Sequence, residues 1–400
     1  MVSTHRLARR HGPTGRAVVE EGKALAPGNP VTAGKSIMSN LFEPFDLKGL
    51  ALPNRIVMAP MTRTRATEEG VPTDLMRDYY VQRAEAGLII TECSRISEAA
   101  HGILRAPGIY NDAQVAAWRR ITDAVHAAGG RIVNQIWHPG RVSHPAILGG
   151  KAPVAPSPLA AAGDFFLPSG RVAFTTPREL RAEELPGIVE DFARAARNAR
   201  SAGFDGVEIH AANGYLLQQF LEEGSNRRRD AYGGSIERRA RLTLEVVEAI
   251  IAAWDEAHVG VRLSPAGVHY GMAGRDRPAT YDYLIRALAE RRLGYLHVVR
   301  PNKASFDAGP VQIDDVPAFA RARFAGPIIV NGGFERAAAE AVLAKGDADL
   351  VAFGVPFLAN PDLVRRLASG APYNRPDPAT FYGLGAKGYT DYPLLEEVGA

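Results

Sequence analysis

From Leu41 onward, short apolar runs rich in β-branched residues alternate with longer stretches in which apolar residues return every three or four positions. The short runs are Arg55–Ala59, Gly87–Glu92, Arg131–Trp137, Gly206–His210, Val259–Leu263, Tyr295–Val299, Pro327–Asn331 and Asp349–Phe353. Runs of this length and apolarity read as strands buried on both faces. The longer stretches, Ala113–Ala128, Pro186–Ala202, Ile236–Trp254, Ala279–Ala289 and Arg336–Lys345, carry the helical period. Eight strands alternating with helices predict an α/β fold with a parallel sheet, and eight strands close into a (β/α)8 TIM barrel. The rival is an open doubly wound sheet. It would carry a glycine-rich first turn, and no G-x-G-x-x-G follows the first strand.

One connection breaks the rhythm. Between the third strand and the next helix lies a Pro-, Gly- and Ala-rich insertion from Pro139 to about Thr176, with a second apolar patch at Arg171–Phe174. Loops this long inside a compact domain usually serve function. A hairpin-bearing lid over the barrel mouth is the expectation.

Composition removes several function classes. The single cysteine, Cys93, excludes a disulfide framework and any cysteine-ligated metal or iron–sulfur cluster, and fits a reducing, cytoplasmic compartment. No metal site is expected, and no apolar run is long enough to span a membrane. The formal charge is +3, but residues 1–37 alone carry +4, so the remainder is nearly neutral and gives no reason to expect nucleic acid. The run Arg227-Arg-Arg-Asp reads accordingly as a salt-bridged surface loop. Residues 1–37, basic and without periodicity, are expected to form a disordered extension preceding Met38, with 38–400 as one barrel domain.

In such a barrel the active site forms at the C-terminal ends of the strands. Strand four ends in His210-Ala-Ala-Asn213-Gly-Tyr215. Three hydrogen-bonding side chains therefore gather in six residues. If a helical turn begins here, His210 and Asn213 are neighbours and can aim donors at one oxygen, with the Tyr215 phenol as proton donor. The neighbouring strand ends supply Thr62, Gln135 and Arg262, a set suited to the polar edge of a planar heterocycle that becomes anionic on reduction. Gly332-Gly333 and Gly354 close the last two strands, where barrels often bind phosphate. A flavin mononucleotide (FMN) fits both halves of this pattern.

The resemblance then becomes specific. The chain resembles the Old Yellow Enzymes, in the branch of N-ethylmaleimide and pentaerythritol tetranitrate reductases. It does so through LFEPFDLKGLALPNRIVMAPMTRTRA (41–66), YYVQRAEAGLIITE (79–92), QIWHPGRVSHP (135–145) and GFDGVEIHAANGYLLQQFL (203–221). The match continues in register through YGGSIERRARLTLEVV (232–247), VRLSP (261–265), FLANPDL (357–363) and FYGLGAKGYTDYP (381–393). The resemblance implies an FMN enzyme that draws reducing equivalents from NADPH or NADH and reduces activated C=C bonds by ping-pong turnover. It implies that Thr62 meets the flavin carbonyl beside N5, that Gln135 and Arg262 hold the pyrimidine edge, and that Pro60 and Cys93 line the ring through their backbone. His210 and Asn213 would bind the substrate oxygen while Tyr215 protonates the α-carbon after hydride transfer. Trp137, Ile103 and Tyr382 would shape the substrate pocket. It further implies a monomer or weak homodimer acting on small molecules.

Three positions depart from that pattern. Val355 stands where the family often places an arginine on the flavin phosphate, with Arg300 or Lys303 as possible substitutes. Ile103 stands where relatives often carry tyrosine, and Cys93 where alanine is common. Two alternatives compete with the reductase: a Schiff-base aldolase, for which Lys303 is the one candidate lysine, and a barrel that binds ligand without flavin.

Overall fold

A computed structural model of the protein describes residues 40–395; the expected extension over 1–37 lies outside them. The barrel strands are β1 (Ile56–Met58), β2 (Leu88–Ile90), β3 (Ile132–Trp137), β4 (Val207–Ala211), β5 (Val259–Leu263), β6 (Tyr295–Val299), β7 (Ile328–Asn331) and β8 (Leu350–Phe353). Each pairs in parallel with the next, and β8 returns to β1, so the sheet closes. The apolar runs and the strands differ at their ends by no more than two residues. The open-sheet alternative is excluded by that closure.

Strand alternation sorts each run into two sets, because successive side chains point to opposite faces. Val207, Ile209 and Ala211 of β4, with Val259, Val261 and Leu263 of β5, belong to the core between sheet and helices. The other register faces the barrel interior. Its lower layers are apolar, built from Val57, Leu88, Val133, Tyr295, Ile329 and Leu350. The antiparallel hairpin Phe45–Leu47/Leu50–Leu52 closes this end, with Leu47 and Leu52 joining the same cluster. Gly260 of β5 is required here, since an added Cβ would lie 2.2 Å from the Tyr295 ring. Toward the C-terminal ends the same register turns polar, through Gln135, Glu208, His210, Arg262, His297 and Asn331.

Each strand is followed by a helix, including Asp112–Ala127, Leu185–Ser201 and Ile236–Ala253. Asn111 caps Asp112–Ala127 by accepting the Gln114 N–H, and Trp118, Ile121 and Val125 form its buried face. The insertion after β3 contains the expected hairpin, Asp164–Leu167 paired with Gly170–Ala173. Its Phe165, with Phe174 just beyond, packs in a cluster with Trp137, Val142 and Tyr215. The loop Arg227–Asp230 is less superficial than expected. Arg228 is buried, donating to Asp230 carboxylate oxygens and to the carbonyls of Pro156 and Leu180.

The last described segment is tied back to the start of the barrel. Arg63, just after β1, is buried and donates to Phe381 O (3.0 Å) and Gly388 O (2.8 Å). Arg65 donates to Thr380 O and Phe381 O, and Tyr389 stacks on Tyr79 with ring centroids 4.0 Å apart. Backbone carbonyls satisfy these guanidinium groups, which makes burying the charges tolerable. Among the described residues no helix is long and apolar enough to cross a membrane.

Candidate active site

The polar layer at the barrel mouth is a hydrogen-bonded chain from Thr62 to His297 with the Arg262–Asn331 pair beside it. Gln135 Nε2 donates to Glu208 Oε1 at 2.7 Å, and Gln135 Oε1 accepts from the Cys93 thiol at 3.0 Å. Burial pushes that thiol up to about 12, so it remains a donor at neutral pH. Thr62 Oγ1 lies 3.7 Å from Cys93 Sγ. The Cys93 side chain thus links Thr62 to Gln135. Glu208 Oε2 meets His297 Nδ1 at 2.7 Å, both fully buried. Burial alone would raise the Glu208 carboxyl, but His297, Arg262 and Gln135 outweigh it and hold it below the ordinary range. Burial lowers His297, which is then a neutral N–H donor to the carboxylate. Arg262 supplies the balancing charge. Its Nη2 donates to Asn331 Oδ1 at 2.9 Å, while its buried Nε has no partner among the described residues.

The His-x-x-Asn-x-Tyr segment does not begin a helical turn, as the sequence reading assumed. His210 is the inward-facing fourth residue of β4, and the chain then turns through left-handed backbone at Asn213 (φ 54°) and Gly214 (φ 81°). Asn-Gly is the dipeptide that accepts consecutive positive φ values. A Cβ on Gly214 would lie 2.7 Å from His269 O, so the turn tolerates only glycine there. Ser264 Oγ accepts the Asn213 N–H at 2.8 Å and fixes the turn. Tyr215 then begins the short helix Leu216–Leu221. The three side chains still converge, by a different backbone route.

Their protonation follows from their surroundings. Burial, reinforced by the Arg262 charge, holds His210 well below the ordinary histidine value. Its Nδ1 accepts the Ala212 N–H at 3.3 Å, so the ring proton resides on Nε2. The Tyr215 ring packs edge-on against His210 (centroids 4.9 Å apart) and Trp137 (4.5 Å). Burial, then Tyr270 and Cys93, push its phenol well above the ordinary tyrosine value, so it stays protonated.

A cavity of about 370 Å³ collects Pro60, Thr62, Cys93, Ile103, Gln135, His210, Asn213, Tyr215, Arg262 and Tyr382, ten of the residues the sequence singled out. Asn213 and Arg262 also line a second cavity of about 700 Å³, which holds Asn331, Gly332 and Gly333. Gly332 and Gly333 both take positive φ, 130° and 66°. Gly354 lines neither cavity, although its neighbour Val355 lines the first. Trp137, expected to shape the pocket, does not line this cavity; it is fully buried and packs edge-on against Tyr215, which does. Glu208, His297, Tyr270 and Phe381 escaped the sequence reading. Glu208 and His297 were detectable from strand alternation, two residues before His210 and two after Tyr295. Tyr270 (φ 57°) and Phe381 reach the cavity through irregular backbone, which leaves no periodic signal.

The paired cavities fit a flavin mononucleotide. The unsatisfied Arg262 Nε and the Gln135 amide can meet the polar edge of an isoalloxazine, and the glycine turn leaves space for the chain ending in phosphate.

Comparison with known proteins agrees. Residues 40–374 match the NADH:flavin oxidoreductase / NADH oxidase family. The chain is 44% identical over 363 residues to 12-oxophytodienoate reductase 1 of Oryza sativa subsp. japonica, covering 90% of this chain and 94% of that protein. Among solved structures, morphinone reductase in complex with tetrahydroNAD shares 47% identity, with a TM-score of 0.84 and coverage of 90% of this chain and 98% of that one. An old yellow enzyme homologue from Zymomonas mobilis shares 41% identity, with a TM-score of 0.85 and coverage of 89% and 100%. With that breadth of match over a barrel of this geometry, the chain belongs to the Old Yellow Enzyme family of FMN-dependent NAD(P)H oxidoreductases.

Proposed function

We propose that this enzyme reduces the activated C=C bond of α,β-unsaturated carbonyls, maleimides and nitroalkenes, and accepts nitrate esters through the same oxygen recognition. The observation that carries the reading is the neutral His210, its proton on Nε2, lining one cavity with Asn213 and Tyr215. Bound FMN would supply the redox chemistry, the passage of a hydride from a nicotinamide to the alkene β-carbon. His210 Nε2–H and the Asn213 amide donate to the substrate's carbonyl or nitro oxygen and draw electron density from the double bond. A neutral donor pair suits this task, because it stabilises the charge that grows on oxygen as the bond is reduced. Tyr215 gives its proton to the α-carbon. Gln135 and Arg262 would hold the flavin's polar edge, with the Arg262 charge set against the negative charge gained on reduction. Nicotinamide and alkene use the same mouth in turn, which makes the kinetics ping-pong.

The Schiff-base alternative loses its lysine. A Schiff-base lysine needs a lowered pKa from a desolvated pocket or a neighbouring cation. Lys303 is exposed and ion-paired with Asp307 at 2.7 Å. The deciding measurement is the visible spectrum under anaerobic conditions. NADPH should bleach the flavin band, and 2-cyclohexenone should restore it. A band that bleaches and is not restored by an enone, a maleimide or a nitroalkene would overturn the reaction.

A further inference from the structure

The larger cavity poses a problem of charge. FMN ends in a phosphate carrying up to two negative charges, which needs donors and a cation around it. Three basic side chains line the cavity: Arg262, Arg300 and Lys303. Arg262 is already engaged with Asn331 and sits beside the Glu208 carboxylate. Lys303 carries its own counter-ion, Asp307, at 2.7 and 2.8 Å. Arg300, just past β6, has no such partner among the described residues. Burial lowers its pKa, and no acidic side chain among the described residues offsets that. The one carboxylate on the same wall, Asp314, accepts the Asp315 N–H at 2.8 Å.

Arg300 is also held in place. Its Nε donates to Gly332 O and its Nη2 to Gly333 O, and its guanidinium carbon lies 4.0 Å from the Phe334 ring centroid. Gly332 makes this possible, since a Cβ there would come within 2.6 Å of Arg300 Cγ. Two of the five guanidinium N–H groups are thus used, and the others have no acceptor among the described residues. Across the mouth, the residue after Gly354 is the apolar, half-exposed Val355.

We propose that Arg300 is the cation that holds the cofactor phosphate in this chain, supplied from the end of β6 in place of a cation at position 355. The inference rests on FMN binding but not on the identity of the substrate. A guanidinium already fixed by two carbonyls and a ring loses little further freedom on meeting phosphate.

The test compares FMN with riboflavin, which lacks the phosphate. The full-length chain, stripped of flavin, is titrated with each while flavin fluorescence is followed. Arg300→Met keeps an apolar stem over Phe334 and removes the charge. It should weaken FMN binding by ~10- to 100-fold and leave riboflavin binding unchanged. Adding Val355→Arg to that variant should recover FMN affinity. Unchanged FMN affinity in Arg300→Met, or equal loss for both flavins, would refute the assignment. A wild-type chain that binds neither flavin would remove the cofactor and this proposal together. Tight, Arg300-dependent FMN binding without alkene turnover would support the proposal while overturning only the reaction.

Discussion

At the scale of single residues, environment rather than identity sets what each group can do. A solvent-exposed histidine is half protonated near pH 6.5. His210, buried beside Arg262, stays neutral and directs its one proton through Nε2 because Nδ1 is occupied by Ala212 N–H. Tyr215 is displaced in the opposite sense, so it holds its proton until a strong base forms beside it. Tyr215→Phe should therefore slow alkene reduction by ~10²- to 10⁴-fold, the usual worth of a positioned acid. Flavin reduction by NADPH and alkene affinity should be unaffected. Stopped-flow measurement of the two half-reactions separates them, and equal slowing of both would argue against the proton-donor role.

At the scale of elements, the strand register divides labour. One set of side chains in β4 and β5 packs against helices, and the alternate set faces the interior, apolar below and polar at the mouth. The tight point is Gly260, with the Tyr295 ring where its side chain would be. Gly260→Ala overpacks the interior and should cost roughly 1–3 kcal/mol of stability. A lowered thermal midpoint with normal flavin affinity is the expected result, and an unchanged midpoint would contradict it. The same register explains what was legible beforehand. The strands were visible because doubly buried strands are continuous apolar runs, and Gln135, His210 and Arg262 because they are polar residues near the C-terminal ends of those runs. The Asn213–Gly214 turn was read as helical, since spacing alone does not distinguish a turn with left-handed backbone from the first turn of a helix. Tyr270 and Phe381 depend on contacts between distant segments. Whether Arg300 was paired could not be decided without knowing where Asp307 and Asp314 lie.

For the whole molecule, buried titratable groups set how stability responds to acid. Burial lowers His101 and His138 to about 4, whereas in the unfolded chain both protonate near pH 6.5. Between those values the unfolded chain binds protons that the folded one refuses, so stability falls as pH drops through the window. Glu92 acts the other way. Burial raises it to about 7, so its folded carboxyl takes up a proton between pH 7 and 4.5 and favours the fold. Burial raises Glu222 in the same sense as Glu92, but His210, His269 and His297 are lowered like His101 and His138, and five histidines against two carboxyls leave a net loss. The urea midpoint should be lower at pH 5 than at pH 7, and His138→Gln should reduce the difference. A midpoint independent of pH would refute this balance.

The arginine ties between the loop after β1 and the final described segment have a consequence for biosynthesis. Phe381 and Tyr382 line the cavity, yet they are held there by Arg63 and Arg65, more than three hundred residues earlier in the chain. A ribosome that has released all eight strands has produced a barrel whose mouth still lacks one wall. That wall forms only when residues 380–389 emerge and dock beside the loop after β1. Until then the buried guanidinium groups of Arg63 and Arg65 have no carbonyls from that segment, and the nascent enzyme cannot enclose a substrate.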